Sequence, residues 1–207
     1  PVLSFRGPAS SRAGVAAFTT STGYGIAKYD NPEELSVSDR NNIGYQYTDC
    51  PLYWISVIYL NFAEAKAEMG SLTQDDLNNS INKLQARAGL PAMTTTPDAD
   101  PANNMGVSNL IWEIRRCRRC ELIMDNWYRY WDLIRWHQLD KLDSTKYPNT
   151  MLGANVSNVP DCEEATKNGY IDASDAQIRT YEAKHYFYPI PTTQLTLNKN
   201  MKQNPGW

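Results

Sequence analysis

The chain has 207 residues, a formal net charge of −3 and a pI near 5.4. That length suffices for one domain with a substantial core and is too short to argue for two. The slight acidic surplus excludes the basic footprint of a nucleic-acid surface, and no run of about 18 apolar residues offers a membrane-spanning helix.

Residues 1–50 read as a loop-rich lead-in, where the clusters SSRAG and TTSTGYG interrupt any sustained period. Tyr24 sits in TGYGIAKY, short enough for a strand or extended segment. Tyr45 and Tyr47 alternate across Gln46 and project the same way from an extended segment. Two co-facing tyrosines can grip a sugar or pin the loop to the core. Aromatics are 11% of the chain, with 13 Tyr and 6 Trp, and such rings suit both uses.

Residues 51–91 predict a helix hairpin. Pro51 suits a first helical turn. Ile55, Ile58, Phe62, Ala65 and Met69 form one apolar stripe, and Leu60, Ala63 and Ala67 a second of mostly small side chains. Asn61, Glu64 and Glu68 are expected to face water. Gly70 supplies a left-handed stop. Thr73 with Asp76 resembles a capping box. Leu77, Ile81, Leu84 and Ala88 follow as the stripe of a second helix, closed by Gly89 and Pro91. The pair has tetratricopeptide-like size without internal repeat, and a lone unit of that kind needs a stacked neighbour. Glu64 and Glu68 lie i,i+4 on one face, whereas glycosidase carboxylates flank a cleft. No catalytic residue is expected.

The loop TTTPDADPANNMG leads to Ser108, a good helix cap, and residues 108–142 predict two helices. Leu110, Ile114, Cys117 and Met124 recur near the helical period, with Arg115–Arg116 and Arg118–Arg119 on other faces. Glu121 falls within the apolar stripe. A carboxylate there needs a cation, and Arg118, Arg129 and Arg135 are the candidates. A buried ion pair of Glu121 with Arg118 or Arg135 is one reading; a half-exposed Glu121 is the other. Further on, Tyr130, Leu133, Ile134 and His137 carry a shorter stripe in which Asp132 can pair with Arg135. Cys117 and Cys120 form C-x-x-C in mid-helix, away from the helix start that a redox pair prefers, and read as two small buried side chains.

Asp140 and Asp143 read as solvated charges, and from Asp143 periodicity fades over the long loop region 143–184. NGYIDASDA bunches Asp172 and Asp175, but calcium-loop spacing is absent, so no metal and no cofactor are expected. Tyr170 is a further candidate for glycan stacking. In residues 185–207 the FYPIP prolines imply an extended tail, with its aromatics sealing the core and Trp207 packed.

IRRCRRCELIMDN followed by YRYWDLIRW resembles the RR-x-RR-x-EL signature of the SusD/RagB family. Cys117 stands where that family often has Glu, Asp125–Asn126 replaces Glu–Gly, and Trp127 is an extra residue. Residues 53–91 resemble the family's helix pair and residues 186–207 its C-terminal segment, in the same order. The resemblance implies an all-α, irregular helical domain with a tetratricopeptide-like hairpin and long ordered loops, the C-terminal part of a larger protein. It also implies a surface-exposed outer-membrane lipoprotein, attached only through a lipid anchor outside this chain. Such a protein binds a glycan or other nutrient, without catalysis, and hands it to a SusC-like TonB-dependent outer-membrane transporter. Glycan contacts would then fall to Tyr24, Tyr45, Tyr47 and Tyr170. The alternatives are a tetratricopeptide-like scaffold binding peptide through Asn78, Asn82 and Lys83, and a glycan-active enzyme.

Overall fold

The computed structural model describes residues 3–5, 22–26, 36, 52–125, 127–158, 166–174 and 177–207. Tyr45, Tyr47, Pro51 and Asp175 lie outside them. The chain is mostly helical and divides into two compact units, Tyr29–Arg129 with Pro1, and Val2–Lys28 with Tyr130–Trp207.

The first unit holds α1 (Ile55–Glu68), α2 (Gln74–Asn78), α3 (Ile81–Arg87) and α4 (Asn109–Glu121). Local sequence chemistry sets the ends. Thr73 and Asp76 form a reciprocal capping box at α2, and Ser108 Oγ accepts from the Ile111 amide at α4. Gly70 and Gly89 take positive φ behind α1 and α3. The hairpin's second arm is two short helices rather than one. Ser80 breaks it, because its hydroxyl donates to the Asp76 carbonyl at 2.6 Å and offers that carbonyl a non-helical partner. Leu77, Ile81 and Leu84 still meet Leu60, Ala63 and Ile114 in one buried cluster.

α1 departs from expectation on one of its two apolar stripes. The stripe of Leu60, Ala63 and Ala67 packs into the core as expected, but Ile55, Ile58 and Met69 are 63%, 60% and 69% exposed, whereas Glu64 is buried. Arg115 and Arg118 of α4 are buried as well. The reason is a polar seam. Arg115 Nη2 donates to Glu68 Oε1 at 3.1 Å while its Nε lies 3.6 Å from Glu64 Oε1. One turn on, Arg118 Nη1 donates to Asn61 Oδ1 at 2.7 Å, and its guanidinium lies over the Tyr128 ring. Asn61, Glu64 and Glu68 share a helical face, so one pair of arginines one turn apart can engage all three.

Glu121 is largely buried, and a cation bonded to it comes from α3. Arg87 Nη2 donates to both carboxylate oxygens at 2.6 Å. Arg87 itself is well exposed, so this pair contributes at most about 1 kcal/mol. Arg135, the other expected partner, donates from Nε to Asp132 Oδ1 at 2.9 Å and lies over the Trp136 ring.

In the second unit Leu133, Trp136 and Leu139 are buried at and after the end of α5 (Tyr128–Arg135). The expected structureless region is partly sheet. β3 (Leu152–Asn155), β4 (Thr166–Lys167) and β5 (Tyr170–Asp172) are antiparallel in the order β3–β5–β4. Asn168 and Gly169 join β4 to β5 with φ of 55° and 79°, the mirror-image turn that suits paired strands. β1 (Leu3–Phe5) pairs with β2 (Tyr24–Ile26) in a second small sheet. The Ala154 amide donates to the Thr22 carbonyl at 2.8 Å, and a Cβ on Gly153 would meet that oxygen at 2.3 Å, so only glycine permits the approach.

The tail is not wholly extended. Thr192–Leu197 forms α6, and the chain beyond it folds back. The Gln203 side chain accepts from the Ile190 amide at 2.8 Å and donates to the Ile190 carbonyl at 2.9 Å, while Asn204 Nδ2 donates to the Tyr188 carbonyl.

Replacing Arg115 by Leu takes its guanidinium away from buried Glu64 and should cost about 3–5 kcal/mol of unfolding free energy, read by denaturant titration. The double replacement Glu64→Leu/Arg115→Leu should recover most of that loss. Equal stability of the single variant and the parent would contradict the seam's role.

Candidate functional site

The second unit contains an open pocket of about 280 Å³, walled largely by aromatic rings. Its construction starts at Asp143, which is buried rather than solvated. Asp143 Oδ1 accepts from the Thr145 amide and hydroxyl, and Oδ2 accepts from the Tyr181 amide at 3.2 Å. Next to it the Ser144 amide donates to the Arg179 carbonyl at 2.8 Å, and the Arg179 amide donates to Ser144 Oγ at 2.9 Å. Residues 179–181 are thereby held along one wall.

A 3-10 turn at Ala183–Tyr186 forms the next wall. His185 Nδ1 accepts from the Glu182 amide at 2.9 Å, which turns the ring edge toward Trp207, 5.8 Å away between centroids. Trp207 Nε1 donates to the carbonyls of Lys184 and Phe187, and the Lys184 ammonium lies 5.0 Å over its ring. The indole is thus fixed by its N–H and remains 46% exposed, whereas the sequence suggested a packed residue. Gly206, at φ 88°, allows this return, since a Cβ there would sit 2.9 Å from Lys184 Cβ. The Tyr130 and Tyr188 hydroxyls meet at 3.1 Å across the opening.

The Tyr181 and Tyr130 phenols are neutral donors over the physiological range. Burial first, and then the hydrogen bond with Tyr186, pushes the Tyr181 phenol up to about 12. The bond to Tyr188, with burial behind it, raises the Tyr130 phenol. The Asp143 carboxyl is lowered instead, chiefly by the Thr145 hydroxyl. A site with flat rings, fixed hydroxyls and a guanidinium at Arg179 that bonds no side chain among the described residues can stack on a sugar face and hydrogen-bond its edge.

The pattern of the SusD family matches residues 7–207. The chain belongs to the SusD family. A solved SusD-like protein of Bacteroides fragilis resembles it with a TM-score of 0.56 and 24% identity, over 91% of this chain and 31% of that one. That likeness shows the fold, and this chain spans about a third of that protein's length. No curated protein matches it.

In this SusD-family chain Tyr24 and Tyr170 are exposed on β2 and β5, and neither lines the pocket. Tyr45 and Tyr47 fall outside the described residues. Tyr181, Tyr188, Trp207 and Arg179, which line the pocket, were not among the residues expected to bind. For Tyr181 and Tyr188 the signal was the aromatic run YEAKHYFYPIP, read as a seal because its rings could equally have closed a core. Of the scaffold groups, Asn82 is spent on the Met93 backbone, donating to its carbonyl and accepting from its amide. Asn78 Oδ1 accepts from Gln74 and Asn82, and the Lys83 ammonium lies over Tyr59. Glu64 and Glu68 both face Arg115. The Cys117 thiol is pushed up to about 12 by burial, with Glu121 adding to it, while Cys120 is exposed rather than buried; both are free.

Because the folded Asp143 carboxyl titrates below its unfolded value near 3.9, its stabilisation is complete above that value and lost as pH falls through the lower folded one. Acid unfolding of the parent should therefore steepen below about pH 4 relative to Asp143→Asn, which should be the less stable protein at pH 7. Parallel acid profiles and equal stability at neutrality would remove Asp143 from the wall's construction.

Proposed function

We propose that this SusD-family chain binds oligosaccharide nutrients without converting them, as part of a protein on the outer surface of a bacterial outer membrane. The observation that carries the reading is the aromatic pocket of the second unit, with Tyr181, Tyr188 and Trp207 beside Arg179 and His185. Its volume lies just below the roughly 300–1,000 Å³ of small-molecule sites, which suits one sugar unit or the end of a chain. Tyr24, Tyr45, Tyr47 and Tyr170 are further candidates for glycan contact.

The acids around the pocket support binding over hydrolysis. Asp143 is filled by its bonds to Thr145 and Tyr181, and Glu182 pairs with Lys184 at 3.3 Å. Paired catalytic carboxylates instead face each other across the scissile bond. In the full-length protein the bound glycan would pass to a SusC-like TonB-dependent transporter, with attachment through a lipid anchor outside this chain.

Affinity electrophoresis in soluble polysaccharides, with reducing-end release measured in the same samples, tests the reading. Retardation without product is expected. Trp207→Ala, with its fold checked by melting, should weaken binding about tenfold, as loss of a central aromatic contact does. Product formation, or undiminished retardation of the variant, would contradict the assignment.

A further inference from the structure

We propose that the pocket selects saccharides that carry a carboxylate, with Arg179 as the group that pairs with it. The inference rests on the pocket being the glycan site and adds the chemical class of the sugar.

The described arginines of this chain are mostly engaged by its own acids. Arg87 meets Glu121, Arg116 meets Glu113, Arg135 meets Asp132 and Arg115 meets Glu64 and Glu68. Arg179 differs. Its backbone is gripped on both sides by Ser144, which fixes where the side chain starts, yet its guanidinium bonds to no side chain among the described residues. It nevertheless lines the pocket. A clamped backbone and an unspent guanidinium beside aromatic walls make a ready partner for an anion on a ring that those walls hold.

The geometry favours a carboxylate over a neutral edge. A guanidinium presents two parallel N–H groups that match the two oxygens of a planar carboxylate, while a sugar hydroxyl can use only one at a time. Lys184 is already balanced by Glu182, and Arg179 is the cation among the described residues that line the pocket. Asp140 also acts on Tyr181 and opposes an anion there, which puts the acid group of the ligand at the Arg179 side. Arg179 is exposed, so the pairing is screened by salt and gives selectivity of moderate size.

The test uses the 207-residue chain and calorimetry with oligogalacturonate, its fully methyl-esterified form, a sulfated oligosaccharide and neutral gluco- and galacto-oligosaccharides. The free acid should bind about tenfold tighter than its ester, an advantage that 0.5 M salt reduces. Arg179→Gln, with unchanged melting temperature, should abolish the acid's advantage over its ester. Equal affinity of acid and ester, or an unchanged acid affinity in the variant, overturns the inference and leaves the glycan reading standing. Tighter binding of the sulfated sugar overturns the choice of carboxylate. Binding of none of these sugars overturns both.

Discussion

The first unit depends on Arg115. Its guanidinium reaches Glu64 and Glu68 across the contact of α1 with α4, and Arg118 adds a bond to Asn61 one turn further on. Burying an acid is costly unless a cation meets it, so this face of α1 can turn inward only with those arginines opposite. Once it does, the small side chains Ala63 and Ala67 let α4 approach, and the large stripe of Ile55, Ile58 and Met69 must lie on the outside. A polar seam thus decides which apolar residues form the core.

The second unit uses the same device for a different end. Asp143 is buried and filled with donors, and together with Ser144 it holds the backbone from Arg179 to Tyr181 in place. The tail then returns through the Gln203 clasp on Ile190, and Trp207 is tied by its indole N–H. With polar groups providing the fixation, the aromatic faces are left free to line an opening. Such a pocket is rigid where it must position a ring and apolar where it must stack on one.

What was legible in the sequence was local. The capping box at Thr73, the stops at Gly70 and Gly89 and the cap at Ser108 depend on residues within a turn of one another, and each appears in the structure. The inward turn of Glu64 depends on an arginine of another helix, and the Arg115–Glu68 bond spans 47 positions. Periodicity gave α1 two apolar stripes and could not tell that Leu60, Ala63 and Ala67, rather than Ile55, Ile58 and Met69, meet the core. Arg87 escaped notice at Glu121 for the same reason, lying 34 positions away. The Asn168–Gly169 turn was different: its dipeptide is a strong hairpin signal, passed over for the nearby aspartates. The pocket could be seen only as a run of aromatics, since nothing in the sequence tells that Trp207 spends its N–H on backbone and keeps its face exposed.

The family places this chain among SusD proteins, and the pocket of the second unit is where its own residues offer a ligand the most. Amide and indole chemical-shift mapping on the labelled chain, titrated with an oligosaccharide that it binds, tests this most directly. The account predicts that shifts concentrate on Arg179, Thr180, Tyr181, His185, Tyr188 and the Trp207 indole. Shifts confined to β2, β5 or the helices of the first unit, with these signals unmoved, would contradict it.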